Sequence, residues 1–281
     1  MTINFNGVRI KPCAAPVNSN TATYIQPVGD STVSLLLHMD GANNSTTFTD
    51  KSYSPKTVTA YGNAKISTAA SKFGGSSAAF DGNGDYLMWP KTNIGSSDFT
   101  IEGWVNLNSL ASYQSVFGGI DIGLDVQNST TIVMGYNATP GGFARTVPTI
   151  STGTWYHFAI SRTSGTIRIF WNGTQAGASV SSATMNNTST NWVIGRNSES
   201  AAQYYLNGYV DEFRITIGSG RYTSNFTPSA SAFTNADGSA ELPATPAVGN
   251  VVYSDTGIYV CSSSSPVIWK KFDGAPQTIT I

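Results

Sequence analysis

An all-β sandwich of antiparallel strands is the fold class that this sequence of 281 residues predicts. Three observations predict it. Short runs rich in β-branched and aromatic residues recur between turn signals, and no segment sustains a helical period. Residues 155–161 and 166–171 are two such runs, joined at Thr163-Ser164-Gly165 and followed at once by Asn172-Gly173. Asn-Gly marks a hairpin because a type I′ turn needs positive φ at both central residues, so three antiparallel strands follow one another here. Residues 99–107 then alternate: Phe99, Ile101, Val105 and Leu107 face one way with Gly103 between them, and Thr100, Glu102, Trp104 and Asn106 face the other.

The remaining elements fall in order along the chain. Residues 1–31 hold Pro12, Pro16 and Pro27 with little periodicity, and read as an extended arm. SLLLHM at 34–39, ended by Asp40-Gly41, fits a buried strand. Residues 57–66, 77–80 and 86–89 are further strands, parted by glycine turns at 73–75 and 81–84. Strands continue at 115–118, 121–126 and 131–136, then at 192–195 and 208–217 beyond the hairpins. Residues 227–245 are rich in Ser, Ala, Pro and Gly and read as linker; 248–253, 258–261 and 267–272 form a small unit too thin to bury a core alone. The expected organisation is an arm at 1–31, a sandwich at 32–230, a linker at 231–245 and a small C-terminal β-unit at 246–281.

Composition narrows the function classes. Charged residues are 11% of the chain, against about 25% in ordinary globular proteins. Aromatics match them at 11%, so the chain has the residues of a core and is not a disordered polar segment. Its surface must be largely neutral Ser, Thr, Asn and Gly, which suits an extracellular or particle-borne β-protein. A net charge of −1 without a basic cluster implies no nucleic-acid partner, and no apolar run is long enough for membrane insertion. The opening MTINFNGVRIKPCAAP lacks the layout of a signal peptide. Cys13 and Cys261 alone make neither a disulfide scaffold nor a zinc site.

Several motifs together resemble the laminin G-like domains of the concanavalin A-like lectin/glucanase superfamily. They are LLLHMDG at 35–41, KFGGSSAAFDGNGDYL at 72–87, DFTIEGWV at 98–105, the hairpin G-x-W-x-H-x-A…G-T-x-R-x-F-x-N-G at 153–173, and GYVDEFRIT at 208–216. They stand in the family's order over residues 32–230. The resemblance implies a two-sheet antiparallel jelly roll. The family includes sugar-binding modules, adhesive domains and parts of bacteriophage virions, and the layout of this chain is most similar to the phage structural proteins.

Candidate chemistry is sparse. Asp81, Asn83 and Asp85 have the D-x-N-x-D spacing of an EF-hand, but Tyr86 stands at the sharp-turn position and Thr92 at the bidentate one. What remains is a polar turn or an unrelated calcium loop. Simple alternation puts Asp211 on a face with Tyr209, Phe213 and Ile215. A carboxylate there needs hydrogen-bond donors or a metal, and the family often holds a structural calcium at the rim, so Asp211 with Asp40 is the metal candidate. Glu212 and Arg214 are expected to pair. Glu102 beside Trp104 is either a sugar platform or a second packed layer beneath a loop. Tyr113, Tyr136, Phe143, Tyr204 and Tyr205 are the loop aromatics suited to glycan stacking.

Enzyme chemistry is not expected. There is no nucleophile elbow or P-loop, and His157 reads as structural. The laminarinase E-x-D-x-x-E strand is missing, and the adjacent acids Asp211-Glu212 should point to opposite faces, whereas retaining glycosidases need two carboxyls about 5 Å apart. The reading is therefore a non-enzymatic virion protein, decorating a capsid or forming part of a tail fibre. It would be made in the host cytoplasm, homo-oligomeric, and in contact with other virion subunits and host-surface glycans. The alternative is a carbohydrate-binding receptor-recognition module.

Overall fold

The computed structural model describes residues 3–5, 8–12, 25–28, 32–119, 121–136, 142–181, 184–185, 190–197, 203–234, 251–254, 257–264 and 267–272. The chain divides into two compact units: residues 32–233, and a unit built from both chain ends, 1–31 with 234–281. In the latter, β1 (Ile3–Phe5), β2 (Val8–Pro12) and β3 (Ile25–Val28) form an antiparallel sheet in that order. The segment expected as a plain extended arm thus carries three paired strands.

Residues 32–233 open with β4 (Val33–Leu37), β5 (Phe48–Thr49), β6 (Thr57–Tyr61), β7 (Lys65–Ser67), β8 (Ser77–Asp81), β9 (Tyr86–Pro90) and β10 (Phe99–Leu107). They continue with β11 (Gln114–Gly118), β12 (Ile122–Asn128), β13 (Thr131–Tyr136), β14 (Phe143–Thr146), β15 (Trp155–Thr163) and β16 (Thr166–Trp171). β17 (Thr174–Gln175), β18 (Val180–Ser181), β19 (Asn191–Ile194) and β20 (Asn207–Ile217) complete the unit. Every pairing is antiparallel, and no helix occurs among the described residues. The front sheet runs β17-β16-β15-β10-β20-β8-β7, and the back sheet β14-β13-β12-β11-β19-β9-β6-β5. β20 is long enough to pair β8 along residues 207–210 and β4 along 213–216. This is the two-sheet antiparallel jelly roll.

The expected hairpins form. Ser164 and Gly165 have φ of 48° and 75°, as do Asn172 and Gly173, so both turns hold two consecutive left-handed residues. The run at 57–66 does not form one strand. Gly62 turns with φ of 66°, sending β6 to the back sheet and β7 to the front.

Between the sheets the alternation of β10 holds. Phe99, Ile101, Val105 and Leu107 join the main core with Trp89, Phe117, Phe158, Trp192 and Phe213. Phe213 is central: its ring lies 5.9 Å from Trp89, 5.6 Å from Phe117 and 6.2 Å from Phe158. Gly103 faces the same way, and a Cβ there would sit 3.0 Å from the Phe158 ring and 3.3 Å from that of Phe213. The missing side chain makes the room those rings use. Beyond the sandwich, β21 (Val251–Ser254), β22 (Gly257–Ser264) and β23 (Val267–Phe272) form the expected three-stranded antiparallel sheet, within the unit that also contains β1–β3.

Truncating Phe213 removes the ring on which three aromatic neighbours converge. Phe213→Ala should cost about 3–5 kcal/mol of unfolding free energy, read from urea denaturation; a cost below about 1 kcal/mol would show that the core closes around the gap.

Candidate functional site

The outer face of the front sheet carries most of the buried polar chemistry, because β20 bulges. Glu212 has φ of 50°, and the β10–β20 register shifts between Glu102 and Trp104. An extra residue in one strand changes which side chains share a face. Val210, Phe213 and Ile215 therefore enter the core, while Asp211, Glu212 and Arg214 lie outside it. This corrects the simple alternation, which put Asp211 with Phe213 and Ile215, and which sent Asp211 and Glu212 to opposite faces.

A strap, residues 219–233, covers the part of this face formed by β10, β15 and β16. The Arg221 N–H donates to Thr100 Oγ1 at 2.8 Å, Tyr222 N–H to Ser161 Oγ at 3.1 Å, and Phe226 N–H to the Gly173 carbonyl at 2.9 Å. Tyr222 stacks on Phe226 with centroids 3.6 Å apart. Beneath the strap Glu102 is fully buried. Arg214 donates to its Oε1 from Nε at 3.0 Å and from Nη2 at 2.7 Å, and the Tyr222 hydroxyl donates to Oε2 at 2.7 Å. His157 Nε2 lies 3.4 Å from Oε2. Burial alone would raise the Glu102 pKa, but Arg214, His157 and Arg221 outweigh it and hold the carboxyl well below the usual range. Glu212 takes His38 Nδ1 at 2.9 Å and the Phe233 N–H at 2.7 Å, so Glu212 and Arg214 pair with other partners and not with each other. Trp104 packs with Leu36 and Phe233 under the Lys72 ammonium, 4.0 Å from its ring. Of the two readings of Glu102 and Trp104, the packed layer holds; neither is a sugar platform.

Asp211 is also fully buried. Its Oδ2 accepts the N–H groups of Lys72 at 2.7 Å and Phe73 at 3.1 Å, and its Oδ1 has no hydrogen-bond partner. Burial pushes its carboxyl up to about 7, against the pull of those N–H groups. Asp40 is exposed and abuts Gly74 on the same turn. Calcium takes six to eight oxygens, and among the described residues no group of three or more His, Cys, Asp or Glu is placed to hold a metal. In this structure Asp211 is a buried acid held by backbone N–H groups of the turn that Asp40 abuts.

The strap leaves the β20-β8-β7 part of the face open, and there a groove of mixed polar and apolar lining, about 640 Å³, forms, a size typical of ligand sites. Its floor is Tyr209, Ala79, Ser67 and Lys65; Asn207 and Asn108 close one end, and Asn63, Asp81 and Asn44 form the wall. Asn108 Nδ2 donates to Asn207 Oδ1 at 3.3 Å, and Asn63 Nδ2 to Asp81 Oδ2 at 3.3 Å. Asp85, 1% exposed, accepts the N–H groups of Asn63 and Asp81 and braces the two turns together. Burial raises its pKa against those same N–H groups. D-x-N-x-D is thus a polar turn forming one groove wall. The exposed Asp81 carboxylate, the amides and the half-buried tyrosine here offer both donors and acceptors.

None of the residues expected from sequence to bind glycan lines this groove. Tyr113 and Tyr204, however, are brought together, with ring centroids 5.0 Å apart. Tyr205 is half-buried. Phe143 packs on the core edge with Arg145 5.5 Å from its ring, and the side chain of Tyr136 lies outside the described residues. The groove draws on five separated segments, which no local motif links; its one signal in the sequence was the recurrence of Asn at strand ends.

Residues 81–217 match the Laminin_G_3 family, described as the concanavalin A-like lectin/glucanases superfamily. The ligand-binding domain of botulinum neurotoxin serotype D, solved with N-acetylneuraminic acid, superposes with a TM-score of 0.50 at 13% identity, over 68% of this chain and 48% of that one. Domain 4 of the arabinanase AbnA from Geobacillus stearothermophilus, in complex with arabinotriose, gives 0.49 at 18% identity, over 67% of this chain and 94% of that one. Trypanosoma rangeli sialidase gives 0.49 at 16%, over 67% of this chain and 31% of that one. The chain therefore spans about a third of the sialidase and about half of the toxin domain. No curated protein matches the sequence. The fold is that of a lectin-like β-sandwich. Residues 81–217 carry the similarity to the concanavalin A-like lectins and glucanases, in the laminin G-like branch.

Asp211 sets a pH dependence whose sign is fixed. Its folded pKa of about 7 lies above the unfolded value near 3.9, so the acid form is the one the fold favours. Stability is then complete at low pH and falls as pH rises from about 4 through 7, by on the order of 2–4 kcal/mol. Glu102, whose pKa is lowered, acts only below the ordinary carboxylate range. Asp211→Asn should flatten the fall between about pH 4 and 7 in urea midpoints; an unchanged slope would show that Asp211 is not its source.

Proposed function

We propose that this chain is a non-enzymatic, lectin-like component of a bacteriophage particle, present in many copies, and that its groove takes a neutral sugar. The groove carries the sugar reading. It is open, of ligand size, and lined by amides, a carboxylate and a tyrosine, the groups that bond sugar hydroxyls while an aromatic ring packs a sugar face. The match of residues 81–217 to the concanavalin A-like lectin/glucanase superfamily supports it. The particle reading is supported by the low charge and the paired terminal β-sheets. Capsid decoration and tail-fibre placement both fit it, and attachment to a host surface is the corresponding task.

The acids argue against glycosidase chemistry. Glu102, Asp211 and Glu212 are fully buried and engaged with Arg214, backbone N–H groups and His38. Asp85 has both oxygens on backbone N–H groups. Among the described residues that line the groove, Asp81 is left without a second accessible carboxyl to act across a glycosidic bond.

A neutral surface gives no long-range steering, so one shallow site should bind near the millimolar range, about −4 kcal/mol. Many copies raise effective binding by roughly 10²–10⁴. Multimerised protein should retain neutral glycans on an array, and Asn207→Ala should weaken retention about fivefold to tenfold, as expected for one lost hydrogen bond. Retention of no glycan, or indifference to Asn207→Ala, overturns the groove reading. Release of reducing sugar overturns the non-enzymatic one.

Mass spectrometry of purified virions tests the particle reading. The chain should appear in many copies per particle, and its absence from virions that assemble where it is expressed overturns the placement.

A further inference from the structure

We infer that the groove continues into a second saccharide subsite, a platform made by Tyr113 and Tyr204, so that the site takes an oligosaccharide and not a single sugar. This rests on the groove being a sugar site. Tyr204 is 42% exposed, one of two large hydrophobic side chains so displayed among the described residues. Its backbone is left-handed, with φ of 57°. That conformation is unfavourable for a bulky residue and persists only where the surroundings enforce it.

The enforcement is visible. The Ser115 N–H donates to the Tyr204 carbonyl at 2.8 Å, which fixes the two tyrosine loops against each other. Leu206 N–H donates to the Gly195 carbonyl at 2.9 Å, and Gln203 N–H to Asn197 Oδ1 at 3.3 Å. Tyr204 therefore presents its ring from a clamped loop, tilted 32° to that of Tyr113.

The same clamp joins the platform to the groove. Gln114, next to Tyr113 and 2% exposed, accepts the Asn207 N–H on Oε1 at 2.8 Å and donates from Nε2 to the Ser109 carbonyl at 2.8 Å. Asn207 and Asn108 line the groove. Tyr204 precedes Asn207 by three residues, a chain reach of on the order of 11 Å, which a short saccharide spans. Amides would hold the hydroxyls of one sugar unit while the tyrosine faces pack the C–H face of a neighbouring one. Tyrosine contributes that area with little conformational freedom to lose.

The test compares neutral sugars of two lengths, glucose with cellotriose and maltotriose and N-acetylglucosamine with chitotriose, by calorimetric or NMR titration of the full chain. At least one trisaccharide should bind about fivefold to tenfold tighter than its monosaccharide, the gain of one stacked ring. Tyr204→Gly suits the left-handed backbone and removes the ring; it should abolish that gain and leave monosaccharide binding unchanged. Tyr113→Leu should reduce the gain in the same way. Asn207→Ala should weaken both lengths. Equal binding of both lengths, or a gain that survives Tyr204→Gly, overturns the subsite and leaves the groove reading standing. Binding of no probe at either length overturns both.

Discussion

A single inserted residue in β20 organises the outside of the front sheet. At Glu212 the backbone turns left-handed, and two residues of β20 come to oppose one of β10. Strict alternation from Val210 would drive the Glu212 carboxylate into the space between Trp89, Phe117 and Phe158, and Arg214 into the core after it. The bulge gives that space to Phe213 and leaves Asp211, Glu212 and Arg214 all on the outer face. Gly103 stands opposite, and its bare Cα accepts the rings of Phe158 and Phe213 at close range. Bulge and glycine are complementary parts of one device.

With its charges outside, the sheet needs partners for them, and the strap provides them. Removing a carboxylate from water costs several kcal/mol unless it is well paired. Glu102 meets that condition through Arg214 and the Tyr222 hydroxyl, and Glu212 through His38 and the Phe233 N–H. Such networks add little net stability over an apolar layer. Their effect here is to fix where the strap lies: Arg221 and Tyr222 at one end and Phe233 at the other each meet a group that only β10, β15 or β20 presents. The strap consequently covers one part of the face and leaves the β20-β8-β7 part, with small Ala79 and Ser67, open as the groove.

The legibility of the sequence follows from the range of the interactions. Hairpins at Ser164-Gly165 and Asn172-Gly173 are local, and the residues declare them. The alternation of β10 is local too, and it assigned both faces of that strand correctly. The break at Gly62 was missed because residues 57–66 keep a strand-like composition across it. The bulge at Glu212 was missed because it depends on β10, more than 100 residues away in the chain, and Glu212 is no usual turn residue. Once the phase slipped, the reading of Asp211 slipped with it. The groove escaped altogether, since Asn44, Asn63, Asn108 and Asn207 meet only after the sheet has formed. Tyr113 and Tyr204 were legible as residue types, though not as neighbours.

Asp85 shows how stability and recognition are connected. A carboxylate that is 1% exposed and has a raised pKa is not favourable on its own account. Yet its two oxygens hold the N–H groups of Asn63 and Asp81, one on the turn before β7 and one at the end of β8. Gly62 approaches so closely that a side chain there would strike Asp85 itself and the Gly84 backbone. The two turns are therefore locked as one wall, with Asn63 and Asp81 hydrogen-bonded across it and facing the groove. A shallow site gains affinity when its polar groups need no ordering upon binding. Asp85 supplies that order through its hydrogen bonds to the Asn63 and Asp81 N–H groups, and for the proposed groove this is a source of preorganisation.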